Sequence, residues 1–134
     1  MKKQHLTAIG ALILLSSSAM AGLYQPAPID IVTNADGSGS ARGDMVTARL
    51  TKNNVEYLGC GVRTVSDGAA VFSFAFCQAS TAAGVIGFCS TEDPRLIESL
   101  AAISDYSFIT FSWGADGVCT QIGTSTQSLY LPAK

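Results

Sequence analysis

This chain has little histidine and little positive charge. Its 134 residues include one histidine, His5, and eight lysines and arginines against ten aspartates and glutamates. Because so few scattered cations are poorly suited to a phosphate backbone, we expect no nucleic-acid partner. An apolar run of about 20 residues, the length that spans a bilayer, is also missing. We therefore expect no membrane insertion of the processed protein.

The first 21 residues have the composition of a secretory signal peptide. Lys2 and Lys3 precede an apolar run of about ten residues, and the small-residue sequence Ala-Met-Ala ends at Ala21. We expect cleavage after Ala21. The remaining chain, residues 22–134, would then be exported to the periplasm or the extracellular medium.

Removal of the signal peptide would also remove His5, and this limits the possible chemistry. Neither a Ser-His-Asp triad nor a histidine-activated cysteine could form in the rest of the chain. Paired carboxylates are the remaining catalytic option, and the candidates are Glu56, Glu92, Asp93, Glu98 and Asp105. Solvated surface charge or helix capping explains these residues better. We expect a protein that is not an enzyme, and a carboxylate-dependent hydrolase is the least favoured alternative.

Four cysteines follow the predicted signal peptide: Cys60, Cys77, Cys89 and Cys119. An even number of cysteines in a short exported chain predicts two structural disulfides. No two cysteines have the close spacing of a zinc site, so we expect no metal and no cofactor. The pairing Cys77–Cys89 with Cys60–Cys119 is slightly favoured over Cys60–Cys77 with Cys89–Cys119.

Short alternating segments separated by turn residues predict a mainly β fold. Six or seven antiparallel strands would form a small barrel or a sandwich, stapled by the disulfides. One α-helix is expected near 93–103, where Asp93-Pro94 supplies a cap and a first-turn proline. The strands are expected at 45–51, 55–65, 69–78, 85–90, 106–113 and 118–124, with a short last strand at 128–131.

The pair Asp67-Gly68 predicts a β-hairpin with a two-residue loop, because both residues tolerate positive φ. Counting outward from that loop places Cys60 and Cys77 on the same face of the hairpin, as diagonal neighbours.

The segment 22–43 is rich in proline, glycine, serine and aspartate, and we interpret it as an extended flexible arm. It would lead into a single β-rich domain at 44–134. Part of the arm, from Asn34 to Ser38, is similar to the opening of a calcium loop, but Met45 stands where such loops need glutamate. The tripeptide Arg-Gly-Asp at 42–44, which adhesion receptors recognise, adjoins a predicted strand. We interpret both as linker sequence.

These features favour a small exported, non-catalytic binding module with a protein or glycan partner. An inhibitor of a hydrolase belongs to the same class. The candidate binding aromatics are Trp113, Tyr106, Tyr57 and Tyr130. The alternative is a structural subunit of an envelope or surface assembly, in which the arm adds a strand to a neighbour's sheet. The sequence leaves the oligomeric state open and favours a monomer.

Overall fold

The structure is a computed structural model that describes residues 22–132. The predicted signal peptide, residues 1–21, lies outside the described residues. Seven strands form two antiparallel sheets, which confirms the predicted mainly β fold. The two sheets pack as a sandwich, and over residues 22–132 they do not close into a barrel.

The strands divide into a sheet of four and a sheet of three. The strand bounds are β1 Asp30–Thr33, β2 Gly39–Asp44, β3 Tyr57–Ser66, β4 Val71–Ser80, β5 Ile86–Thr91, β6 Phe108–Trp113 and β7 Cys119–Ser125. The four-stranded sheet has the order β1-β2-β6-β7, and the three-stranded sheet has the order β3-β4-β5.

Two short helices and two 3-10 turns complete the fold. They are α1 Met45–Leu50, α2 Pro94–Ser99, the 3-10 turn Leu100–Ala102 that continues α2, and the 3-10 turn Ser128–Tyr130. Contacts of α1 with β2 and β3, and of α2 with β4 and β7, link the two sheets. No helix within residues 22–132 has the length and apolar character needed to cross a membrane.

The core is built from large side chains on one sheet and small ones on the other. The four-stranded sheet contributes Ile109, Phe111 and Trp113 from β6, all buried. The facing residues of β4 and β5 are small: Ala75, Cys77, Ala79, Gly87 and Cys89. Because the large side chains of β6 fill the space between the sheets, β4 and β5 turn their small residues inward.

Residues 30–43 are not the flexible arm that the sequence predicted, because they form two strands of the four-stranded sheet. The second of these strands, β2, lies between β1 and β6, and its Ala41 is buried opposite Phe111. Gly39 lies against the Trp113 ring, where no side chain would fit. The small residues that resembled a linker are therefore required by packing, and the folded domain does not begin at residue 44.

Three hairpin loops share one local structure. In each loop the first residue's N–H donates to the carbonyl of the fifth, and the fourth residue is a glycine with φ between 76° and 87°. This is a three-residue hairpin loop that ends in a left-handed glycine. The sequences are Asn-Ala-Asp-Gly-Ser at 34–38, Thr-Ala-Ala-Gly-Val at 81–85 and Gly-Ala-Asp-Gly-Val at 114–118.

Two predicted strands have other structures. The segment 45–51 forms α1 instead of a strand, because Asp44 caps the first turn by accepting a hydrogen bond from the Thr47 N–H. The predicted strand at 128–131 is a 3-10 turn. The helix predicted at 93–103 is confirmed as α2 and the 3-10 turn that follows it.

The β3–β4 hairpin has a four-residue loop, not the two-residue loop that Asp67-Gly68 predicted. Ser66 pairs with Val71, which shifts the register by two residues. A shift of two keeps every side chain on its predicted face. It also moves Cys60 from a diagonal position to one directly opposite Cys77.

The disulfides are Cys60–Cys77 and Cys89–Cys119, so the slightly favoured pairing is wrong and the alternative is correct. Cys60, Cys77 and Cys89 form one row across β3, β4 and β5, and Cys77 bonds to its hairpin partner. This leaves Cys89 to join Cys119 on β7, with 5.0 Å between their Cα atoms. The first disulfide lies within one sheet, and the second connects the two sheets.

Candidate functional site

Trp113 is a core residue and not the exposed aromatic platform that the sequence suggested. Only 8% of it is exposed. Its ring packs between Gly39 and Gly87, one from each sheet, and its Nε1–H donates to the Gly37 carbonyl over 3.0 Å. The two glycines and this hydrogen bond accommodate the indole inside the sandwich.

The three tyrosines that the sequence suggested as binding residues lie in separate surroundings. Tyr57 is exposed at the start of β3, and Tyr106 is exposed in the turn before β6. Tyr130 is half-buried and stacks on Phe108, with 5.4 Å between the ring centroids. Of the four predicted aromatics, only Tyr57 belongs to the face described below.

The Arg-Gly-Asp tripeptide is not available to a receptor. Asp44 is fully buried and accepts hydrogen bonds of 2.6 Å from the Ala27 N–H, the Thr47 N–H and the Thr47 hydroxyl. Arg42 pairs with Asp30 on the surface over 2.8 Å. The aspartate is a structural cap, so the interpretation against receptor binding agrees with its burial.

The calcium-like stretch is a hairpin loop. The Asp36 carboxylate accepts hydrogen bonds from the Ser38 hydroxyl and N–H, at 2.7 and 3.0 Å, and both lower the pKa of Asp36. Turn formation therefore explains the alternating polar residues. Across residues 22–132, no three His, Cys, Asp or Glu side chains come together as metal ligands would.

The carboxylates considered for catalysis do not form one group. Glu56 and Asp105 line the same surface cleft, next to α1. Asp93 caps α2, and hydrogen bonds from the Arg95 side chain and N–H lower its pKa to about 2. The ionised Asp93 therefore acts as the N-cap of α2.

The feature that remains unexplained is the outer face of the three-stranded sheet, which we call the aromatic face. It consists of the side chains that point away from the other sheet: Tyr57, Gly59, Gly61, Arg63 and Val65 of β3, Phe72, Phe74, Phe76, Gln78 and Ser80 of β4, and Ile86, Phe88 and Ser90 of β5. Phe72, Ile86 and Phe88 are 48%, 63% and 52% exposed. Four of the chain's six phenylalanines therefore lie on one uncovered surface.

Arg63 is the one charged residue of the aromatic face. Its guanidinium carbon lies 5.2 Å from the centroid of the Phe76 ring, a cation–π distance. The same ring covers Gly61, where an added Cβ would lie 3.0 Å from Phe76 Cζ. Arg63 forms no salt bridge with any of the residues that the structure describes. The aromatic face thus carries one unneutralised positive charge, beside Phe76.

The opposite outer surface of the sandwich is different. The outward residues of the four-stranded sheet include Ser40, Arg42, Thr110, Ser112 and Gln121, which line a shallow polar hollow. The aromatic residue on that side, Phe108, is covered by Tyr130. Antiparallel sheets normally show this polar surface to water. The aromatic face departs from the pattern, which is the usual sign of an interaction surface.

Part of the aromatic face lies on a projecting ribbon. The strand β5 pairs with β4 only from Ala75 to Ser80, so the hairpin from Arg63 to Phe74 extends beyond it as two strands. Both sides of this ribbon are largely exposed. Phe72 and Val65 are therefore carried outward, where another molecule can reach them.

The sequence interpretation missed the aromatic face, although β4 carries a signal for it. Phe72, Phe74 and Phe76 alternate with Ser73, Ala75 and Cys77. Because side chains alternate along a strand, the large residues share one face of β4 and the small residues share the other. No family matches the chain, and neither a curated protein nor a solved structure is significantly similar to it.

Proposed function

We propose that this chain is an exported, non-catalytic binding module that docks a protein partner through the aromatic face. The observation that carries the proposal is the contrast between the two outer surfaces, one polar and one lined with phenylalanine. The two disulfides suit an oxidising compartment outside the cytosol. Their presence supports export.

The composition of the face favours a protein over a glycan. Its exposed side chains are mainly phenylalanine, isoleucine and valine, and few groups could bind sugar hydroxyls. Phenylalanine side chains supply large apolar contact areas, and aromatic anchors dominate the energetics of many protein interfaces. Partly exposed, the large side chains of the face present on the order of 500 Å² to a partner. This area is adequate for the centre of a standard interface.

The charge of the face indicates one property of the partner. Arg63 is unpaired beside the apolar residues of the face, so burying it is favourable only if the partner supplies a carboxylate. A second copy of this chain would bring its own Arg63 and no carboxylate on the matching face. We infer a monomer that binds an apolar surface with an acidic residue opposite Arg63.

The structural-subunit alternative loses its donor segment. The segment expected to complete a neighbour's sheet runs from Ile29 to Val32. Residues 30–32 belong to β1, which already pairs with β2 inside the same chain.

Affinity capture with matched variants tests the docking proposal. The exported protein is immobilised and exposed to the extracellular or periplasmic proteins of the producing organism. We expect one partner to be retained by the unmodified protein and lost by Phe72→Ser with Phe88→Ser and by Arg63→Glu. Binding of the purified partner should weaken about 10–100-fold for a single Phe72→Ser substitution, the range expected for an interface anchor.

Val32→Ser is the matched control, because Val32 is an exposed apolar residue of the other sheet. It should leave capture unchanged. If the same proteins are retained by all variants, or if a glycan but no protein is retained, the docking proposal is wrong.

A further inference from the structure

A second candidate site lies where α1 meets the start of β3. The cleft has a volume of about 520 Å³, and its apolar walls are Met45, Ala48 and Leu58. Ala48 and Leu58 are buried, so these walls belong to the core. The rim is polar and consists of Arg49, Asn53, Asn54, Glu56, Tyr57 and Asp105. A mostly apolar pocket of this size with a few polar groups is typical of small-molecule sites.

Hydrogen bonds fix the rim of the cleft. The Asn53 side-chain oxygen accepts from the N–H groups of Val55 and Glu56, both at 2.9 Å. Its amide nitrogen donates to the Glu56 carboxylate. At the other end, Asp44 caps the helix that carries Arg49. The Asn53 and Glu56 side chains are therefore held in place before any ligand arrives, which reduces the entropy cost of binding.

The rim carries charges of both signs that do not neutralise one another. Arg49 forms no salt bridge within residues 22–132, and neither does Glu56 or Asp105. A simple anion would face two carboxylates, and a simple cation would face the guanidinium. A ligand with a separated positive and negative end satisfies both.

We propose that this cleft binds a short zwitterionic peptide of two or three residues with apolar side chains. Its carboxylate would bind Arg49, its ammonium group would bind Glu56 or Asp105, and its side chains would pack on the walls. The volume exceeds the needs of a single amino acid, and the rim offers charged partners for both ends of a short peptide. The proposal does not rest on docking through the aromatic face, which adjoins the cleft at Tyr57.

The dipeptide Leu-Leu is the probe, and its blocked forms test each charge. Binding is followed by NMR titration of the exported protein, using the side-chain amide signals of Asn53 and Asn54. We expect saturable shifts with Leu-Leu. The affinity should fall at least tenfold for Leu-Leu amide, which lacks the carboxylate, and for N-acetyl-Leu-Leu, which lacks the ammonium group.

Matched variants assign the two contacts. Arg49→Gln and the double variant Glu56→Gln with Asp105→Asn should each weaken Leu-Leu binding at least tenfold, whereas Arg42→Gln and Glu98→Gln, which change the same charges away from the cleft, should not. Unchanged Trp113 fluorescence shows that each variant is folded. Absence of saturable shifts with Leu-Leu, equal binding of the blocked forms, or tighter binding of maltose than of Leu-Leu would each overturn the proposal.

Discussion

At the scale of single residues, Asp44 is a fully buried carboxylate that connects three parts of the chain. It joins the end of β2, the start of α1 and the segment before β1 through three hydrogen bonds. In the sequence alone, Asp44 is recognisable only as the last residue of an Arg-Gly-Asp tripeptide. Its burial could not be predicted, because it depends on Ala27, which is 17 residues away along the chain.

Substitution of Asp44 tests this structural role. Asp44→Ala should lower the free energy of unfolding by about 2–4 kcal/mol, since it removes a helix cap and leaves buried N–H groups unpaired. Asp44→Asn should cost less, because an amide still caps. Urea unfolding measures both. Asp30→Ala, which breaks the exposed pair with Arg42, should cost at most about 1 kcal/mol; a larger effect from Asp30 would contradict this assignment.

Two strand glycines make a second residue-level test. Gly39 lies against the Trp113 ring and the Val32 carbonyl, whereas Gly59 has open space around its Cα. Gly39→Ala should therefore destabilise the protein by about 1–3 kcal/mol through overpacking. Gly59→Ala should be neutral or stabilise by about 0.5–1 kcal/mol, because glycine is unfavourable within a strand. Unfolding followed by Trp113 fluorescence separates the two, and equal effects would argue against the buried position of Trp113.

At the scale of elements, the sequence predicted most strands but assigned the first hairpin to a linker. The sequence predicted strands on both sides of the loop at 114–118, but it assigned the closely similar loop at 34–38 to a linker. The difference lies in the flanking residues. Large apolar residues precede and follow the later loop, while the inward-facing residues of β2, the strand after the earlier loop, are Gly39, Ala41 and Gly43. Small residues on a strand that lies under large aromatics look like linker sequence until the opposing layer is known.

The start of α2 gives a prediction about pH. Because the folded pKa of Asp93 is lowered to about 2, its ionised form stabilises the fold above the unfolded pKa, about 3.9. That contribution is lost as the pH falls from about 4 through 2. The melting-temperature difference between the unmodified protein and Asp93→Asn should therefore be largest above pH 4.5 and vanish near pH 2.

The control for this pH dependence is Ser99→Ala in the same helix. It removes a hydroxyl that donates to the Leu96 carbonyl and does not titrate. Its effect on the melting temperature should stay constant over the same pH range. A constant difference for Asp93→Asn as well would show that the Arg95 contact does not stabilise the fold.

At the scale of the whole molecule, the disulfide pairing depends on how the two sheets face each other. The sequence gives three cysteines on neighbouring strands, and only the packing brings Cys119 to Cys89. Trypsin cuts after Arg63 and Arg95 but nowhere between Cys77 and Cys89. The observed pairing should therefore join three tryptic peptides under non-reducing conditions. Release of peptide 64–95 on its own, with an internal disulfide, would contradict it.

The same packing explains why the phenylalanines of β4 point outward. A sequence pattern normally places the larger apolar side chains of a strand in the core. Here Ile109, Phe111 and Trp113 already fill the space between the sheets, so the small residues of β4 face them. The alternation of β4 could be predicted from the sequence, but the direction in which its large residues point could not.

The most direct test of the docking surface is site-specific cross-linking in cells that export the protein. A photoreactive amino acid is placed at Phe88, on the aromatic face, or at Thr110, on the outer surface of the other sheet. We predict one discrete cross-linked product for position 88, with a mass that is not twice that of the chain, and none for position 110. Equal cross-linking at both positions, or none at position 88, would contradict the proposed function.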